Sequence, residues 1–291
     1  MGFGGRSRVA IVIVTRDRCQ TLLKSLDHLA ALGEGHRVVV VDNGSTDGTL
    51  GMVSRRHPQV LLLPLEHNLG SAARTAGAAA VEEPYVALCD DDSWWAPGSL
   101  ARAERVLDDH PALGLIAGRV LIGDAEREDP TCRLMSGSPL PRHPGQAGAP
   151  VLGFLACAAV FRRSAYLEAG GFHPNFGVGG EETLLSVDLA STGWQLAYVP
   201  EVVAHHHPPP RPDSAARRRR QARNSLWLTW LRRPLPGALR QTAGLIHSAF
   251  KDPAVARGLA DAVAGGSWVF RERRPVGHDL ERGLRALGDS I

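Results

Sequence analysis

Cysteine is sparse in this chain of 291 residues and forms no CxxC pair: Cys19, Cys89, Cys132 and Cys157 stand far apart. That spacing argues against a disulfide framework or a zinc ribbon and predicts reduced thiols in a cytoplasmic protein. Long apolar runs are missing as well. None approaches the roughly 18 residues of a membrane span, and the opening MGFGGRSR lacks both the apolar stretch and the cleavage site of a signal peptide. There is no HExxH motif, and Gly2, Gly4 and Gly5 precede the first apolar run instead of following it, so they make no dinucleotide-binding loop. Charge of one sign is not in excess either. The formal net charge is +3, which argues against nucleic acid as a partner, although basic residues crowd the last third.

What is present is alternation. Val9 to Val14 reads VAIVIV, an unbroken β-branched run suited to a strand buried on both faces. An amphipathic stretch follows, with Leu22, Leu26 and Leu29 at helical spacing and Gly33 and Gly35 as its stop. The pattern continues through strands at Val38 to Val41, Val60 to Leu63, Tyr85 to Cys89 and Leu113 to Val120. Helices are expected from Ser45 to Arg56, Ser71 to Ala80 and from near Pro97. The alternation predicts an α/β fold, an open and mostly parallel sheet flanked by helices. Gly123 to Pro150 reads as a mobile loop, Phe154 to Phe161 as a strand, Glu181 and Glu182 as the start of a helix, and Gln195 to Val199 as a last short strand. Pro208 to Pro212 breaks structure before a helical tail.

Ligands of such sheets bind beyond the carboxyl ends of the strands. Three polar clusters fall there, Thr15 to Arg18, Asp42 to Asp47 and Asp90 to Asp92, and are expected to share one site. Three adjacent carboxylates repel one another unless a cation or hydrogen-bond donors offset their charge. An oxygen-rich divalent site facing a diphosphate explains Asp90, Asp91 and Asp92 economically; a solvated acidic turn is the plainer reading.

The string VVDNGSTDGT, then Asn68-Leu69-Gly70 with Arg74, then LCDDDSWW, resembles glycosyltransferase family 2, and within it a rhamnosyltransferase-like branch. The likeness runs from about Arg8 to His207. It implies an A-type nucleotide-diphospho-sugar transferase fold, with residues 1–207 as catalytic domain (1–120 binding nucleotide, 121–207 on the acceptor side) and 208–291 as a helical C-terminal extension. The same resemblance places Thr15, Arg16 and Asp42 in the nucleoside pocket, with Asp42 and Arg74 reaching the base. Asp90 falls on the ribose, Asp91 in either role, and Asp92 on Mn2+ or Mg2+ as the last carboxylate of a DxD motif. Asp17 and Thr75 stand where relatives often carry Asn.

Transfer with inversion needs one base for the acceptor hydroxyl. Glu181 and Glu182 match the family's Glu-Asp pair, so Glu182 is the expected base, with Glu181 orienting it; two helix-stabilising glutamates are the plainer reading. After GWQLAYVPEVVAHHH the family supplies one histidine to the metal or diphosphate. Alternation along an extended chain favours His205 and His207 over His206.

Trp94 and Trp95 serve either as a sugar platform or as core anchors, and Phe172 and His173 invite the same two readings. Arg217 to Arg220, Arg223 and LWLTWLRRPL describe a basic helix with tryptophans. It suits the inner membrane face, or packing on the catalytic domain or a second subunit of a homo-oligomer. The implied donor is a UDP or dTDP sugar; the acceptor is a lipid-linked glycan, a peptide or a small metabolite. Two rivals share the fold: a sugar nucleotidyltransferase, which would need a glycine-rich basic loop after the first strand, and a non-catalytic nucleotide-sugar-binding scaffold.

Overall fold

A computed structural model describes residues 7–142, 144–209 and 214–288. Gly2, Gly4 and Gly5, and Pro210 and Pro212 of the expected break, lie outside the described residues.

Strand β1 (Val9–Thr15) is flanked by two parallel neighbours, β2 (Arg37–Asp42) and β4 (Tyr85–Asp90), so Val12 lies between Val39 and Leu88. With helices packed on the sheet, both faces of the strand are dry, which is why VAIVIV shows no polar alternation. Helix α1 (Cys19–Leu32) buries Leu22, Leu26 and Leu29 and stops where Gly33 turns left-handed at φ 63°. After α2 (Thr49–Arg56) and β3 (Leu61–Pro64), a 3-10 turn (Gly70–Ala72) leads into α3 (Ala73–Ala79). A methyl group at Gly77 would collide with Val12 and Val41, so the small residues of α3 let it lie directly on the sheet.

The second half departs from the expected pattern. β5 (Ser93–Trp95) pairs antiparallel with β10 (Gln195–His206), and β6 (Leu113–Ile122) pairs parallel with β10. Gly123 to Pro150 is no featureless loop: it contains β7 (Arg127–Glu128), α5 (Pro130–Ser136) and β8 (Ala149–Pro150). Asp129 caps α5 by accepting from the Thr131 amide at 2.8 Å, with Pro130 in the first turn. Phe154 to Phe161 forms a 3-10 turn (Ala156–Ala158) and only then β9 (Ala159–Arg162), which runs antiparallel between β4 and β6.

Among the described residues ten strands form one sheet in the order β3-β2-β1-β4-β9-β6-β10-β5, with β7 on β6 and β8 on β10. β10 does not end at Val199. Its pairing with β6 breaks between Val199 and Val203, around Pro200, and resumes from Val203 to His206. Proline lacks a ladder donor, and the bulge carries the strand past it.

Helices α6 (Arg163–Glu168) and α7 (Glu181–Ser191) complete this part, and α8 (Ala215–Arg232), α9 (Leu235–Ala249), α10 (Pro253–Gly265), α11 (Ser267–Arg271) and α12 (His278–Gly288) form the tail. A second apolar cluster joins Phe176 and Leu184 to Trp227, Leu231, Ala262 and Trp268, so the tail packs against the segment that carries the glutamate pair. Trp227 is buried and donates to the Ala262 carbonyl at 2.9 Å; it anchors the tail and is not free to meet a lipid surface. Among the described residues no helix is long and apolar enough to cross a membrane.

Candidate active site

Parallel register sets Thr15 beside Asp42 and Val14 beside Asp90, which brings the three polar clusters to one sheet edge. Thr15 donates to Asp91 at 3.0 Å, and Arg18 reaches Asp91 at 2.9 Å and Asp92 at 2.8 Å. Asp17 holds φ at 50° and accepts from the Thr46 amide at 2.6 Å, while its own amide donates to the Ser45 hydroxyl at 2.9 Å. Aspartate, like asparagine, tolerates that left-handed geometry better than most residues.

Arg18 changes the electrostatic reading of the acidic run. Part of the charge that the sequence assigns to a divalent ion is offset by the Arg18 guanidinium; the Nε2 of His206 lies 3.2 Å from Asp92. Burial pushes Asp91 up to about 6, against the pull of Arg18. Asp92 is buried as well, yet the hydrogen bond from Arg18 and the nearby His206 outweigh burial and hold it below the ordinary carboxylate value.

Other expected residues divide between the edge and its rim. Asp42 is 2% exposed; one oxygen accepts from the Ser45 amide at 3.2 Å and the other is buried without a hydrogen-bond partner. An orphaned buried acceptor suits the donor N–H of a base. Arg16 is half exposed and pairs with Asp17 at 3.6 Å. Arg74 bonds to Asp90, lies 5.6 Å from the Phe172 ring centroid and feels the charge of Glu182, so it bridges the acidic edge and the glutamate pair.

The three histidines divide between two faces of β10. His205 and His207 do share one face, but it is the far one: they pack on Trp94, with ring centroids 5.7 and 4.6 Å away, and approach Glu126 and Asp124. His206 is the residue turned to Asp92, and Asp90, Cys157 and His206 present donor atoms all within 4.8 Å of one another. Trp94 also stacks on His28 at 3.9 Å, and Trp95 is fully buried, so neither tryptophan is a free platform. His173 stacks on Trp268 at 4.5 Å, and Phe172 is buried.

Glu181 and Glu182 open α7 after Gly177, Gly179 and Gly180, whose φ values of 66°, 107° and 88° favour glycine strongly. Glu181 is buried and accepts from the Gly179 amide. Burial and the neighbouring Glu181 charge push Glu182 up to about 8. Glu182 lines a cavity of about 1170 Å³ between α5, α7 and α8. The wall is apolar at Met135, Leu152, Phe154 and Val178, and Arg133, Arg217 and Arg220 supply positive charge. The sequence places Arg18 in a cluster expected at this edge and Arg217 to Arg220 on a basic helix, but it singles out neither Cys157 nor Arg133 as a site residue, because each acts across a long chain separation without a motif.

The fold is that of the A-type glycosyltransferases. The family model described as glycosyl transferase family 2 matches residues 10–170, and the chain belongs to that family. It is 28% identical over 203 residues to N-acetylglucosaminyl-diphospho-decaprenol L-rhamnosyltransferase of Mycobacterium tuberculosis, a match that covers 58% of this chain and 66%, just under two thirds, of the relative. An uncharacterized glycosyltransferase of Mycobacterium bovis is 38% identical over 91 residues, 31% of this chain and 40% of that one. Among solved structures, a mannosyltransferase from Pyrobaculum calidifontis in complex with GDP-Man and Mn2+ superposes with a TM-score of 0.59 at 22% identity, covering 99% of this chain and 81% of that chain. S. aureus TarS in complex with UDP-GlcNAc gives a TM-score of 0.59 at 16% identity, over 97% of this chain and 80% of the other.

Proposed function

We propose that this chain transfers a sugar from a UDP or dTDP donor to an acceptor hydroxyl, with inversion at the anomeric carbon and Glu182 as base. The observation that carries the reading is the placement of Glu182 at the wall of the large cavity, linked through Arg74 to Asp90 on the donor edge. A carboxylate there takes the acceptor proton while the hydroxyl oxygen attacks the anomeric carbon, and the bond to the diphosphate breaks on the opposite side. Asp42 meets the base with its unpartnered oxygen, and Arg74 helps hold the leaving diphosphate. Asp92 and His206 would hold a divalent ion, whose chemistry is neutralisation of the diphosphate charge.

A lipid-linked acceptor is the favoured class. The cavity combines apolar walls with arginines, as an amphiphile carrying phosphate requires, and the rhamnosyltransferase relative is named for such a lipid. α9 adds a surface. Leu235, Leu239, Ile246 and Phe250 fall on one helical stripe and are all exposed, Phe250 to 86%, while α9 carries Arg240 and His247 and no acidic residue. That stripe, in place of the α8 tryptophans, is the peripheral membrane contact in this reading.

Calorimetric titration of UDP and dTDP, with Mn2+ and with a chelator, tests the donor site in wild type and Asp92→Asn. Metal-dependent binding lost in the variant is the expected result. Arg18 favours a second reading, metal-independent donor binding with the guanidinium as fixed cation, which equal affinity with the chelator would support. Failure of either nucleotide to bind under any condition would sink both.

A further inference from the structure

Cys157 enters the donor edge from an unexpected direction. The 3-10 turn before β9 delivers it between the end of β4, which carries Asp90, and the end of β10, which carries His206. The Cys157 sulfur, an Asp90 oxygen and a His206 nitrogen lie within 4.8 Å of one another. His206 also stands 3.2 Å from Asp92. One imidazole thus serves two donor sets, an oxygen set with Asp92 and a sulfur-containing set with Cys157.

We propose that Asp90, Cys157 and His206 form a binding site for a thiophilic divalent cation of the Zn2+ class, and that its occupation competes with donor binding for His206 and Asp90. Tetrahedral Zn2+ takes bonds of about 2.0–2.3 Å, so its donors stand roughly 3.5 Å apart. Side-chain rotation closes the remaining distance. Sulfur with imidazole selects Zn2+ over the oxygen-preferring Mg2+. Ligation forms a metal–sulfur bond and releases the thiol proton to solvent, with no change of oxidation state; water fills the fourth position. An ion so held turns His206 from Asp92 and draws Asp90 from Arg74, two groups the donor needs. Ion binding stands independently of the transfer reading, whereas the competition rests on it.

The test titrates the whole protein with Cd2+, a spectroscopic substitute for Zn2+, and follows the ultraviolet sulfur-to-cadmium charge-transfer band. A saturable band that Zn2+ erases, lost in Cys157→Ser, weakened in His206→Ala and unchanged in Cys132→Ser, is expected. A wild type without the band, or a band that survives Cys157→Ser, overturns the site. Thermal melting checks that the serine variant is folded; should it not fold, His206→Ala carries the same decision. Competition is read by UDP calorimetry with Mn2+: saturating Zn2+ weakens affinity about tenfold or more in wild type and not in Cys157→Ser. Equal weakening in both removes the competition. No UDP binding without Zn2+ would refute the donor reading and leave the cadmium band to decide the site.

Discussion

The side-chain amide of Asn224, on α8, donates to the carbonyl of Gly179 at 2.5 Å, two residues ahead of Glu181. It also donates to Phe176 at 2.9 Å, and its own oxygen accepts from Arg223 at 2.9 Å. The tail therefore fastens the loop that presents the glutamate pair. Asn224→Ala leaves the Gly179 carbonyl without that donor, at about 1–3 kcal/mol, while the Phe176 carbonyl keeps Arg223 at 3.0 Å. Chemical denaturation should show that loss, and single-turnover kinetics should show a slower transfer step with donor affinity unchanged. Equal loss of donor affinity would mean that Asn224 supports the fold as a whole.

With Glu182 as the proposed base, its ionisation is expected to set the pH dependence. Its raised value, about 8 against an ordinary 4.5, keeps it neutral near pH 7, and a base must be ionised. Turnover should climb as pH rises toward 8 and level above it. Glu182→Gln should remove about 10²–10⁴-fold of kcat together with that limb. Stability runs the other way. A carboxyl whose value is raised by folding contributes fully below 4.5 and loses that contribution as pH rises through about 8, so the variant should lose less stability across that window. Melting at several pH values reads this directly.

Much of the first half is legible because its signals are local. VAIVIV announces a strand buried on two faces, and Asp42 and Asp90 each close such a strand, so the register of β1 alone brings them together. The second half is less legible. The signals for α5 were the short cap Asp129-Pro130-Thr131, outweighed by the glycines and prolines around it. Pro200 hid the continuation of β10, and with it the parity of the histidines. Alternation says that His205 and His207 share a face, but which face is set by β5, where His206 pairs with Ser93 and His205 with Trp94. No run of residues encodes Arg18 against Asp92, a contact across 74 residues.

That parity separates three adjacent histidines. His206→Ala should weaken Mn2+-supported nucleotide binding, by about 1.4 kcal/mol for each tenfold, and shift the metal concentration for half-maximal turnover. His205→Ala and His207→Ala should leave both unchanged, since their rings pack on Trp94 and neighbour Glu126 and Asp124. A metal shift in His205→Ala with none in His206→Ala would reverse the assignment.

Leu239 and Phe250 stand on the exposed stripe of α9. An apolar stripe beside Arg240 and Lys251, with no acid between residues 235 and 251, should associate with anionic vesicles and be displaced by salt. Burial of each large apolar side chain is worth about 1.5–3 kcal/mol, so a Leu239→Asp, Phe250→Asp double variant should lose vesicle binding by more than about tenfold. Donor binding should stay at the wild-type level, because neither residue supports the nucleotide edge. Sedimentation with phosphatidylglycerol vesicles against neutral vesicles provides the measurement. Equal sedimentation of wild type and variant would remove the stripe as the membrane contact, and a wild type that dimerises through it while ignoring vesicles would make it a surface for a second copy of the chain.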